Sequence, residues 1–283
     1  MNYLVLALAS ALLYGVWKFG LGIYRGRISV FAVLLVSASA AAVVYLSAGF
    51  ADGTLAFNGE DVVRGLVGGL LNCAGTLLLL KAFDRGKMGV VTGVAATSVL
   101  VPLAYSLLMG ARPEAQRAVG VVVILAGLAA FYVPHMRAPV TSTGSNPRQA
   151  IFLALAAAFF WGLAIVVIDN GSRVSVTGTL AVSQLPQVIV ALAVVLASAP
   201  RSFAGLNGRS VAILVGAGLS LGLANVAFFT AAQEGNLGLV SVLASFSPMV
   251  TALLALAVLK ERMSRSDVVA LIVVIVGVAL VVA

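Results

Sequence analysis

Apolar residues run along this chain in blocks of about twenty, separated by short polar or charged turns. A helix needs about 20 such residues to cross a hydrocarbon layer. Ten blocks of that length can be drawn, over 3–24, 29–49, 62–83, 89–109, 117–136, 149–168, 176–199, 209–232, 238–258 and 266–283. The eighth and ninth meet at a very short turn around Glu234-Gly235-Asn236. No connection is large enough to form a soluble domain. The longest, 137–148, carries Pro139, Pro147 and a Thr-Ser-Thr-Gly-Ser run, a flexible linker composition. The pattern predicts an all-α polytopic membrane protein of ten transmembrane helices. A first five-helix repeat covers 1–136, a linker 137–148 and a second five-helix repeat 149–283.

Composition sharpens this picture. The chain is 62% hydrophobic and 9% charged, where a soluble domain carries about 25% charged residues. Soluble and disordered chains are thereby excluded, and the apolar runs are far longer than the strands of an outer-membrane barrel. Seventeen basic against nine acidic residues give a net charge of +8. In a soluble protein that excess would suggest nucleic acid. Here no stretch is both basic and long, so the expected partners are the lipid bilayer and a small-molecule substrate, with no nucleic acid. The single cysteine, Cys73, rules out an internal disulfide and a cysteine-based metal cage. Met1 to Tyr24 lacks a basic leader, which predicts a retained first span and not a cleaved signal.

The Lys and Arg residues are distributed unevenly. Connections after odd-numbered spans hold Arg25, Arg27, Lys81, Arg85, Lys87, Arg137, Arg148, Arg201, Arg209, Lys260, Arg262 and Arg265. The opposite side holds Arg64, Arg112, Arg117 and Arg173, and Lys18 lies inside the first span. By the positive-inside rule the richer side is cytoplasmic and both termini are periplasmic.

The two halves echo each other. Ala9-Ser10-Ala11-Leu12-Leu13-Tyr14-Gly15 matches Ala156-Ala157-Ala158-Phe159-Phe160-Trp161-Gly162. Thr76, Gly86, Gly89 and Ser98 each find a counterpart 149 residues on, as Asn225, Gly235, Gly238 and Ser247. Val121 to Ala129 mirrors Leu271 to Ala279 in pattern. Five spans per half force the second half to enter the membrane upside down. The result is an inverted repeat, which among secondary transporters places the substrate near the midplane between the halves.

The order of motifs resembles the ten-helix EamA-type permeases of the drug/metabolite transporter superfamily over the whole chain. The motifs are Tyr14-Gly15 and Trp161-Gly162 in spans one and six, and Gly86-x-x-Gly89 and Gly235-x-x-Gly238 opening spans four and nine. Pro102 and Pro248 inside those spans, and Lys260-Glu261-Arg262 before a last span containing Gly277, complete the set. The resemblance implies export of amino acids, drugs or other metabolites, or exchange of sugar nucleotides. Two departures stand out. Many relatives keep their termini in the cytoplasm, and the small multidrug relatives carry a glutamate in span one where this chain has Tyr14.

Polar groups within a span are costly in lipid and therefore tend to face a cavity or another helix. Ser10, Tyr14, Trp17 and Lys18 share one face of span one. Lys18 has three readings: snorkelling to the cytoplasmic interface, facing a solute carboxylate, or pairing with a backbone carbonyl. Asn72 and Thr76 lie one turn apart on span three, with Asn225 at the repeat position of Thr76. Ser183, Gln184 and Gln187 surround Pro186 in span seven. Pro102 and Pro248 free backbone carbonyls beside Ser98, Ser245 and Ser247, and Tyr105 follows Pro102 by three residues. Trp161 falls near mid-span, away from the interfaces where Trp usually sits. Interhelical hydrogen bonding explains many of these groups equally well. An aromatic floor with one cation suits a solute carrying an apolar ring and a carboxylate, a feature similar to the aromatic amino acid exporter branch. Gly89, Pro102, Pro186, Gly238 and Pro248 are the candidate bending or gating positions. Gly68, Gly69, Gly216, Gly218, Gly222 and Gly238 are expected to permit close, sliding helix contacts.

No Walker A signature is present, since Arg85-Gly86-Lys87 is followed by Met88. Every acidic residue falls at or outside a span end, leaving Lys18 and Lys81 as the ionisable groups nearest membrane depth. A facilitator or exchanger running down the solute gradient is expected, with proton coupling through one of these lysines as the alternative, and no cofactor. The only histidine, His135, sits at the end of span five, so a Ser-His mechanism or HExxH metal site is not available and an enzyme is not expected. The sequence thus predicts a secondary transporter of the bacterial inner membrane, monomeric or weakly dimeric. It exports small amphipathic metabolites, amino acids and above all aromatic ones, by alternating access. Spans one to four and six to nine would enclose the cavity, with five and ten peripheral.

Overall fold

Apolar blocks in lipid can satisfy their backbone groups only internally, and the described residues accordingly fold as helices joined by short turns and loops. The structure is a computed structural model describing residues 2–24, 28–85, 91, 94–137, 147–198, 206–259 and 265–282. In chain order the helices are α1 (Tyr3–Ile23), α2 (Val30–Ala51), α3 (Gly59–Arg85), a 3₁₀ turn (Ala96–Val99), α4 (Leu100–Leu108), α5 (Ala115–Arg137) and α6 (Pro147–Gly171). There follow α7 (Val176–Ser198), α8 (Gly208–Glu234), α9 (Leu237–Ala244), α10 (Ser247–Leu259) and α11 (Arg265–Val282). Among the described residues six of these, α1, α2, α3, α6, α7 and α8, are long and apolar enough to cross a membrane, and the others are shorter apolar helices. The chain is a multi-pass membrane protein.

The helix starts follow from local chemistry. Asn2 caps α1 by accepting from the Leu4 amide at 3.0 Å. Asn207 and Ser210 form a reciprocal capping box on α8. Asn236 accepts from Leu239 N–H and starts α9 immediately after α8 ends, which makes the short turn at Gly235 possible. Gly110, at φ +89°, sits in the left-handed region that lets the chain reverse after α4.

The sequence pattern drew the fourth and ninth blocks as continuous, proline-bent helices; the structure breaks both. The fourth passes through the 3₁₀ turn before α4, and the ninth turns at Ser245-Phe246 between α9 and α10. Proline has no N–H, so Pro102 cannot bond the Ser98 carbonyl, nor Pro248 the Ala244 carbonyl. In each case the irregular backbone lies at those residues.

Packing partners come in matched pairs. The helix α3 lies along α6, and α1 along α8; α2 packs on α8, and α7 on α3. Likewise α1 meets α9 and α10, while α6 meets the 3₁₀ turn and α4. Helices α5 and α11 pack chiefly on each other, at the periphery. Small residues permit the close crossings. A Cβ on Gly15 would collide with Val250, 2.6 Å from its Cγ1, and lie 2.9 Å from the Ser247 carbonyl. One on Gly162 would lie 2.6 Å from Val101 and 2.8 Å from the Ser98 carbonyl. Gly68, Gly69, Gly218 and Gly222 make similarly tight contacts with Ile168, Ser183, Ser37 and Val44. Gly216 does not, contrary to the expectation: it is exposed, and a Cβ there would meet nothing within 4 Å, so it makes no close helix crossing.

Candidate functional site

A cavity of about 140 Å³ opens between the two sets of helices. Eleven of the thirteen residues singled out from the sequence as solute contacts line it: Tyr14, Trp17, Lys18, Asn72, Thr76, Ser98, Trp161, Gln187, Asn225, Ser245 and Ser247. They come from α1, α3, the 3₁₀ turn, α6, α7, α8, the α9–α10 turn and the start of α10. The broken helices therefore place their irregular backbone at the cavity wall, where freed carbonyls have polar company.

Tyr14 and Trp161 sit near the middle of α1 and α6. Trp161 fits at this depth because Gly75 leaves room for it; a Cβ there would lie 2.5 Å from the indole. The Trp161 N–H donates to Thr76 Oγ1 at 3.3 Å, and the Tyr14 hydroxyl donates to Asn225 Oδ1. Trp17 lies between the two aromatics, its ring 6.4 Å from Tyr14 and 6.3 Å from Trp161. Phe228 adds an edge contact to Tyr14 at 6.2 Å. Apolar ring surface thus covers one side of the cavity.

Lys18 donates to Ser247 Oγ at 2.9 Å. Of its three expected readings, snorkelling is set aside: its ammonium turns inward to the cavity, where a hydroxyl is its partner. No aspartate or glutamate lines the cavity among the described residues, so Lys18 supplies its only formal charge there.

Two expected contacts lie elsewhere. Gln184 is buried behind the wall and donates to Tyr45 Oη at 3.4 Å while accepting from Gln187 Nε2 at 2.7 Å. Tyr105 pairs with Asn170, away from the cavity. Gly238 is buried and its N–H donates to Ser106 Oγ at 2.9 Å, joining α9 to α4. Pro102 is buried in α4 and Pro186 in α7; Pro248 opens α10 at its second position. Gly89, Gly86, Lys87, Glu261 and the linker positions 138–146 lie outside the described residues.

Sequence reasoning missed Tyr45, which is fully buried and accepts from Asn225 Nδ2 at 2.6 Å. With it, Tyr14, Asn225, Tyr45, Gln184 and Gln187 form one hydrogen-bonded strap across α1, α8, α2 and α7. A tyrosine in the middle of an otherwise apolar span was the available signal. Asn170 was missed as well. It accepts from Arg64 through its backbone carbonyl at 3.0 Å and from Arg173 through its side chain at 3.2 Å, while exchanging hydrogen bonds with Tyr105. Beside it Gln233 Nε2 donates to the Asp169 carboxylate at 2.9 Å. This end of the bundle is tied together by polar contacts between α3, α4, α6 and α8.

A family comparison accounts for the second half of this arrangement. Residues 148–283 match the EamA-like transporter family. The matched segment contributes Trp161, Gln187, Asn225 and the α9–α10 break to the cavity, and residues 1–136 contribute Tyr14, Trp17, Lys18, Asn72, Thr76 and Ser98. A solved crystal structure, 19% identical, superposes with a TM-score of 0.79 over 98% of this chain and 95% of the other. That likeness covers the fold of both halves. No curated protein matches the sequence significantly. A family of membrane transporters, a multi-pass helical chain and a central polar-aromatic cavity together point to transport of a small substrate.

Proposed function

We propose that this chain is a secondary transporter that exports small amphipathic metabolites, amino acids and particularly aromatic ones, by alternating access across a bacterial inner membrane. In this reading ten spans form two five-span repeats of opposite orientation, over 1–136 and 149–283, with both termini periplasmic. The protein acts as a monomer or weak homodimer and needs no cofactor.

The observation that carries the reading is the cavity itself, where ring surface from Tyr14, Trp17 and Trp161 meets the Lys18 ammonium. A carboxylate placed near Lys18 would leave the apolar side chain of an aromatic solute among the rings. The paired packing supports the repeat, because exchanging the elements of the halves turns α3–α6 into α1–α8, α2–α8 into α3–α7, and the contacts of α1 with α9 and α10 into those of α6 with the 3₁₀ turn and α4. A site shared between inverted halves can be exposed to one side and then the other by rocking the halves. In such a cycle Asn72, Thr76, Ser98, Gln187, Asn225, Ser245 and Ser247 supply polar contacts, and the breaks at Pro102 and Pro248 serve as bending points.

Efflux from cells tests this directly. Cells expressing the chain and preloaded with labelled phenylalanine should lose the label several-fold faster than cells with an empty vector. Equal rates at verified membrane expression would contradict an aromatic exporter.

A further inference from the structure

Resting on the carrier reading above, we propose that the cavity selects aromatic acids that lack an ammonium group, such as 3-arylpropionates, over zwitterionic amino acids and aromatic amines.

Hydrogen-bonding capacity in the cavity is lopsided. Lys18 brings three donors and spends one on Ser247. The two ion pairs among the described residues, Arg64–Glu60 and Arg117–Glu114, are remote from it, so among those residues Lys18 has no carboxylate partner. Trp17 Nε1 and Ser241 Oγ also lack partners, although both residues line the cavity and are only 8% and 4% exposed. An indole N–H can only donate. A buried polar group without a partner costs free energy, and an uncompensated charge costs more. A surplus of donors of this kind suits an anion, whose two oxygens accept about four hydrogen bonds.

An ammonium group meets the opposite conditions. It brings a second positive charge into the space where Lys18 already stands, in surroundings of low dielectric that strengthen the repulsion. It also brings three more donors, to be met only by neutral acceptors such as the Asn72 amide, hydroxyls and ring faces. Moving solute ammonium from water into this cavity therefore costs more than the neutral acceptors return. The aromatic body fits equally well in either case, since Tyr14, Trp17, Trp161 and Phe228 touch only the ring.

The chain provides its own probe. It has two tryptophans, Trp17 and Trp161, and both line the cavity. Tryptophan emission of the purified full-length chain should be followed while titrating 3-phenylpropionate, phenylalanine and phenethylamine, three solutes with the same ring. The acid should half-saturate at about tenfold lower concentration than phenylalanine, and the amine should bind most weakly. Lys18→Arg should keep that order. Lys18→Gln should bring acid and amino acid within about twofold of each other. Trp17→Phe, which removes a lone donor and keeps a ring, should weaken the acid severalfold, giving a second test should Lys18→Gln fail to fold. Phenylalanine binding as tightly as the acid, or more so, would overturn this selectivity and leave the carrier reading standing. If none of the three solutes shifts the emission of a chain with intact helical circular dichroism, the aromatic site falls, and the aromatic exporter reading with it.

Discussion

Tyr14 on α1 donates its hydroxyl to Asn225 on α8, and this contact has a double: Trp161 on α6 donates to Thr76 on α3. Asn225 and Thr76 are each the eighteenth residue of a 27-residue helix. One aromatic-to-polar contact is therefore made twice, in the two places that an inverted repeat would provide. The two copies differ in chemistry, and the difference gives the cavity one phenol-amide end and one indole-hydroxyl end.

Removing the Tyr14 hydroxyl tests the structural share of that contact. Asn225 keeps Tyr45 as a partner in Tyr14→Phe, so the cost should be about 0.5–1.5 kcal/mol, seen as a small drop in thermal midpoint in detergent. Asn225→Leu removes both bonds and leaves Tyr45 with only the longer Gln184 contact, and should cost roughly twice as much. Equal midpoints for the two variants would show that the strap through Tyr45 contributes nothing.

Two glycines predict opposite outcomes for the same substitution. Gly15→Ala pushes a methyl group into Val250 and the Ser247 carbonyl, and should destabilise by about 1–3 kcal/mol through overpacking. Gly216→Ala meets open space and should be neutral or stabilising by up to about 1 kcal/mol. Parallel melting curves decide it. A harmless Gly15→Ala would mean that α1 and α10 do not cross as closely as described.

The Asn170 cluster closes one end of the bundle, so loosening it should open a path to the cavity. With Cys73 replaced by Ala and Asn72 by Cys, the only thiol faces the cavity. Adding Asn170→Ala removes the side-chain contacts to Tyr105 and Arg173. Modification of that thiol by a membrane-impermeant maleimide, applied from the Asn170 side, should speed up several-fold. An unchanged rate would mean that another contact holds this end shut.

Orientation makes a separate prediction. By the positive-inside rule the uneven Lys and Arg distribution predicts that both termini lie outside, so alkaline phosphatase fused after Ala283 should be active, and a green fluorescent protein fused there should be dark. The reverse pattern would invert the molecule in the membrane and exchange the two ends of the cavity.

Much of this architecture was legible in the sequence because lipid imposes one dominant rule, that backbone groups be satisfied within helices. Helix positions follow from apolar block length, and the peripheral pairing of α5 with α11 matches the expectation for spans five and ten. Most of the cavity wall was legible for the same reason, since Tyr14, Lys18, Asn72, Trp161 and Asn225 are costly anywhere else. Tyr105 and Gln184 escaped that logic. Each is polar within a span yet spends its side chain on another helix, through Asn170 and Tyr45. Polarity alone does not distinguish a cavity wall from an interhelical bond. The breaks at Ala96–Val99 and Ser245-Phe246 were foreshadowed by proline, but proline marks a lost hydrogen bond without saying whether the helix bends or stops.

The central claim is that one cavity carries the solute, and counterflow in proteoliposomes tests it most directly. Vesicles containing the purified chain are loaded with unlabelled phenylalanine or 3-phenylpropionate, and accumulation of the labelled solute is followed with no driving ion present. The account predicts transient accumulation above protein-free vesicles, abolished by Trp161→Ala and by Lys18→Ala and retained by Gly216→Ala. Accumulation that survives both cavity substitutions, or none at all from correctly folded protein, would contradict it.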